Sequence, residues 1–69
     1  MNNEIIFVVK EASEGGYIAR ALGHSIFIEG EDINEIKANA RDAVRCHFED
    51  NDMPKIIRLH FVKDEVIAI

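Results

Sequence analysis

His24, Cys46, His47 and His60 are the soft ligands of this 69-residue chain, and they could support a metal site or a thiolate-imidazole pair if they converged. Cys46 and His47 are neighbours on what reads as a helix, so their side chains point about 100° apart and do not close on one ion. A mid-helix cysteine also lacks the electropositive surroundings that make a thiolate nucleophile. Glu11, Glu14, Glu29, Glu31 and Asp32 could serve general acid-base or two-metal chemistry, but they fall in loop-like stretches where solvated acids ordinarily go, without a spacing that pairs them. Gly15-Gly16 precedes a strand rather than a helix, which favours a hairpin turn over a phosphate cradle. No catalytic residue, metal ligand or cofactor is expected, so the chemistry that remains is binding.

Composition narrows the kind of binding. Thirteen acidic against 8 basic residues leave a net charge of -5, opposite to the basic footprint of a nucleic-acid binder. Arg20 and Arg58, near Phe and Tyr residues, still allow an RNA-facing sheet. The acidic balance favours attraction to a basic protein. With 48% hydrophobic residues the chain is too apolar for a disordered acidic tail, and one cysteine excludes a disulfide-stapled miniprotein. The longest apolar run, Ile5 to Val9, is far shorter than the ~20 residues of a membrane helix or the ~7–15 of a secretory core segment, so a cytoplasmic protein is expected. The whole chain, 1–69, reads as a single domain.

The elements that must position these residues follow from periodicity. Glu4 to Lys10 and Gly16 to Leu22 read as antiparallel strands joined by a Gly-rich turn, and Ser25 to Glu29 as a third strand after a break at Gly23-His24. Asp32, three residues before Glu35, marks a helix start. From there Ile33, Ile36, Ala40, Ala43, Val44, His47 and Phe48 form one stripe. Glu49 to Asp52 end the helix, with Asn51 as a left-handed cap, and Pro54 blocks continuation. Lys55 to Lys63 reads as a fourth strand with Ile57, Leu59 and Phe61 facing the core. Val66 to Ile69 is either a short fifth strand or an extended tail, and the sequence leaves both open.

One helix shelters one face of a small sheet. Ile6 and Val8, Ile18 and Leu22, and Ile56 and Val62 fall opposite the expected core residues, which leaves an apolar face carrying Arg20, Arg58 and His60. Three uses of that face stay open: a second copy, a foreign protein, or an ordinary half-wetted sheet. Ile18, Arg20, Arg58 and His60 are the expected partner-binding residues, and a homo-oligomer is the expected state. Contact with membranes is not expected.

The order strand, Glu14-Gly15-Gly16-Tyr17-Ile18-Ala19 hairpin, strand, Phe27-Ile28-Glu29-Gly30-Glu31-Asp32 entry and helix Ile33 to Phe48 with Ala40 and Ala43 resembles the N-terminal domain of HicB-type antitoxins, over roughly residues 4 to 62. The resemblance implies an α+β fold of β-β-β-α-β order: a three-stranded antiparallel meander, one crossing helix and a fourth strand, a degenerate RNase H-like sheet without a catalytic carboxylate set. It also implies oligomerisation and binding of a small basic mRNA-cleaving ribonuclease toxin. Two departures stand out. The family's Leu-Pro-Gly-Cys before the third strand is replaced by Gly23-His24-Ser25-Ile26, and no helix-turn-helix or ribbon-helix-helix segment follows, so DNA binding is not expected of this chain alone. The alternative is a homo-oligomeric small-ligand or RNA-binding module with no toxin partner.

Overall fold

A computed structural model describes residues 3–69. It contains β1 (Glu4–Glu11), β2 (Tyr17–Ala21), β3 (Phe27–Gly30), α1 (Ile33–His47) and β4 (Ile56–Val62), in the expected β-β-β-α-β order. The sheet is mixed, with spatial order β3-β2-β1-β4. The first three strands form the antiparallel meander, whereas β4 pairs parallel to β1 in the register Glu4↔Ile56 through Lys10↔Val62. A parallel return needs a crossover, and α1 supplies it by carrying the chain from one sheet edge to the other.

Alternation along β1 puts Ile5, Phe7 and Val9 inward, where Ala19, Ala21, Ile28, Ile36, Ala40 and Val44 close on them. The alanines of β2 let the helix approach closely. Asp32 caps the helix as expected: its Oδ1 accepts from the Glu35 backbone N–H at 2.8 Å, while Glu35 Oε1 accepts from the Glu31 N–H at 2.9 Å. Gly15 and Gly16, with φ of 99° and 78°, make the β1–β2 turn. There the Ala12 N–H donates to the Gly16 carbonyl at 3.0 Å.

Several boundaries depart from the sequence reading. Strand β2 starts at Tyr17 and ends at Ala21, and β3 starts at Phe27, because Leu22 to Ile26 close a turn in which the Ala21 N–H donates to the Ile26 carbonyl at 3.1 Å. Phe48 is the C-cap rather than a helical residue: its backbone is extended at φ -111°, and its N–H still donates to the Val44 carbonyl. Asn51 is not a left-handed cap, since among the described residues only glycines have positive φ. His47 leaves the apolar stripe for solvent. There it stands edge-on to His24 and Phe48, with ring centroids 5.6 and 4.9 Å away.

The largest correction concerns β4. Ile57 and Leu59 are only half-buried and Phe61 is 53% exposed, so the expected core trio is at best a flank. The helix lies over β3 and β2, at the far side of the sheet from the β4 edge. Val66 to Ile69 form no strand.

Candidate protein-binding face

The register brings the four expected partner residues onto the same side of the sheet. Val8 lies between Arg20 on β2 and His60 on β4, Lys10 faces Ile18, and Ile6 faces Arg58. Arg20 in turn pairs with Phe27. One row therefore runs Phe27, Arg20, Val8, His60 across all four strands, and the next runs Glu29, Ile18, Lys10, Val62. This is the side opposite the buried residues of β1 and opposite the helix.

Its exposure matches the deficit foreseen from the sequence. Leu22, Phe27, Ile56 and Val62 are exposed large hydrophobics, Phe27 at 57%, while Ile6, Val8 and Ile18 are half-buried by their neighbours. A shallow depression of about 450 Å³ lies among Val8, Lys10, Ile18, Arg20, Leu22, Phe27, Val62 and Asp64. Phe27 and Leu22 are its walls. The sequence reading missed Phe27 because it placed that residue within a longer strand whose inward parity it left open. The alternation Phe27 exposed, Ile28 buried, Glu29 exposed settles it.

The four named residues are not equivalent. Arg20 and His60 are exposed, and Ile18 is half-buried beside the depression. Arg58 is engaged: its Nε donates to Glu4 Oε2 at 2.9 Å and to Oε1 at 3.1 Å, and its Nη2 donates to Oε1 at 2.9 Å. That two-nitrogen grip clips β4 to β1 and leaves Arg58 less available for a partner. The hydrogen bonds from Arg58 hold the Glu4 carboxyl below its ordinary value, the guanidinium charge adds to this, and partial desolvation opposes it.

The acids collect elsewhere. Glu14, Glu29, Glu31 and Glu35 line a depression of about 540 Å³ beside Gly15, Gly16 and Tyr17. Ile18 borders both depressions, so the acidic rim and the apolar face are continuous. Among the described residues no group of three or more His, Cys, Asp or Glu side chains is placed to hold a metal ion. Cys46 is free and exposed. Among the same residues no helix is long and apolar enough to cross a membrane.

No family model and no solved structure matches the chain. Two proteins similar to it are a UPF0150 protein of Thermotoga maritima, 42% identical over 66 residues that cover 96% of this chain and 93% of the relative, and a UPF0150 protein of Archaeoglobus fulgidus, 50% identical over 52 residues that cover 75% and 77%. Identity at that level across nearly the full length shows that the chain belongs to the UPF0150 family.

Proposed function

We propose that this protein is a non-enzymatic protein-binding domain of the cytoplasm, and that it neutralises a small basic mRNA-cleaving ribonuclease in the manner of HicB-type antitoxins. The observation that carries this reading is the open sheet face, where Leu22, Phe27, Ile56 and Val62 stand exposed and Ile6, Val8 and Ile18 half-buried around Arg20 and His60. Burial of Leu22, Phe27 and Val62 supplies affinity, and the cations between them fix orientation. The face itself is not acidic. Attraction to a basic partner comes from the net charge of -5 and from the carboxylate rim at Glu14, Glu29, Glu31 and Glu35, which meets the face at Ile18. A ribonuclease seated across both would present its phosphate-binding cations to carboxylates, which compete directly with RNA.

The test is co-expression with a small basic ribonuclease encoded beside this gene, with residual mRNA cleavage as the readout. Cleavage is expected to be suppressed by the wild type and restored by Phe27→Asp or Leu22→Asp, both exposed in the free protein. Suppression that survives both substitutions, or a gene with no such neighbour, defeats the reading. The rival RNA-binding module draws support from Phe27 beside Arg20, a ring and a guanidinium able to stack on a base. It predicts affinity for single-stranded RNA that falls steeply with salt.

A further inference from the structure

Strand β4 ends at Val62, and the chain continues as an arm, residues 63–69, with every residue exposed. Val66 is 96% and Ile67 82% exposed, and Ile69 is fully so. The molecule is 51 Å long, against a span of roughly 27 Å for the eight-residue β1. The difference is close to the roughly 23 Å of seven extended residues, so the arm reaches away from the body. Val66, Ile67 and Ile69, three β-branched aliphatic residues exposed together in water, are unfavourable unless something covers them.

The body has a matching gap. On the helix side of β4, a groove of about 420 Å³ lies between Ile57, Leu59 and Phe61 of the strand and Lys37, Ala40 and Arg41 of the helix. It exists because α1 lies over β3 and β2 on that same face and leaves the β4 edge only partly covered. The arm cannot fill its own groove, because it prolongs the strand that forms the groove wall and runs outward from it. The outer edge of β4 is also unpaired, with β1 as its only strand neighbour.

We propose that two copies exchange arms, each arm lying antiparallel along the outer edge of the other copy's β4. Occupancy by a second copy is argued from charge and pattern. Glu65 precedes Ile67 and Ile69 on the same side of the arm, and Lys37 and Arg41 flank the groove, so each arm brings the sign that the other copy's groove lacks. Residues directly opposite in an antiparallel pair share a face. Around a twofold axis normal to the sheet, Ile67 and Ile69 therefore join the helix-side set Ile57, Leu59 and Phe61. The arms and grooves together involve fewer residues than the ~20–30 per side of a standard interface, so the dimer dissociates on dilution. Asp64 lines the open-face depression, and Val66 shares its parity, so the residues that test the exchange apart from the proposed partner are Glu65, Ile67 and Ile69.

Sedimentation of the full chain from micromolar to millimolar concentration tests it. The wild type is expected to approach twice 7.8 kDa. The double variant Ile67→Asp, Ile69→Asp is expected to weaken the dimer on the order of a hundredfold, with an unchanged circular dichroism spectrum. Glu65→Lys in one chain, mixed with Lys37→Glu and Arg41→Glu in another, should form a heterodimer in preference to either homodimer. A wild type that stays monomeric at millimolar concentration, a dimer indifferent to the arm variant, or a mixture without heterodimer preference would each overturn the exchange. Loss of toxin neutralisation with an intact dimer concerns the open face and leaves this inference standing.

Discussion

Arg58 and Glu4 join the two parallel strands through side chains 54 residues apart in sequence, the only ion pair among the described residues. The depressed Glu4 pKa fixes the direction of its pH dependence. The stabilisation is present above the ordinary value of 4.5 and is lost as pH falls below it through the lower folded-state value. In Arg58→Gln the Glu4 titration, followed by carboxyl carbon NMR, is expected to move up toward 4.5, and an unmoved midpoint would dissolve the pair's role. Gly16 is constrained twice. Its φ is 78°, and a Cβ there would stand 2.9 Å from the Gly30 carbonyl oxygen. Gly16→Ala should therefore cost about 2 kcal/mol or more in urea unfolding, whereas Gly23→Ala, with positive φ but open space, should cost about 1 kcal/mol. Asp32→Ala removes the helix cap and should cost about 1 kcal/mol.

Among the elements, β1 is the one on which the others depend, with β2 on one side, β4 on the other and Phe7 fully buried at its centre. The helix is anchored to the opposite edge: Asn39 Nδ2 donates to the Glu29 carbonyl at 2.7 Å, and the backbone of α1 passes close to Gly30. Ile36, also fully buried, is the helix's main core contribution. Ile36→Val should cost about 1 kcal/mol, and Ile36→Ala about 2–5 kcal/mol. The latter is a large share of the roughly 3–10 kcal/mol available to a domain of this size, so its thermal transition should fall sharply or vanish. Anchoring the helix over β2 and β3 is also what leaves β4 half-covered. The same offset that buries Ile28 exposes Phe61.

For the whole molecule, small size makes unburied apolar surface a large fraction of the stabilisation the chain could gain. Among the described residues two such surfaces stand out, the open sheet face and, on the helix side, the groove beside β4 with the arm beyond it. Because both are exposed in the monomer, substitutions there should separate binding from stability. Phe27→Ala is expected to leave the unfolding midpoint within about 0.5 kcal/mol of the wild type while weakening partner binding by at least ~1 kcal/mol in a titration. A midpoint that collapses instead would place Phe27 in the fold rather than at an interface.

Local rules were enough for much of this. The alternation of β1, the positive-φ glycines of its hairpin, the Asp32 cap and the helical stripe through Ile36, Ala40 and Val44 depend on neighbours a few residues apart, and each was legible in the chain. So was the surplus of apolar strand residues, and Ile18, Arg20, Arg58 and His60 do share one face. What the chain did not reveal depends on long-range placement. The outward direction of Phe27 required the strand register, because one step along a strand reverses every side chain. The engagement of Arg58 by Glu4 required β4 to return beside β1 rather than beside β3. The exposure of Phe61 and of the arm required the lateral offset of the helix, since alternation marks which residues share a face and only packing decides how far along the sheet one helix can reach.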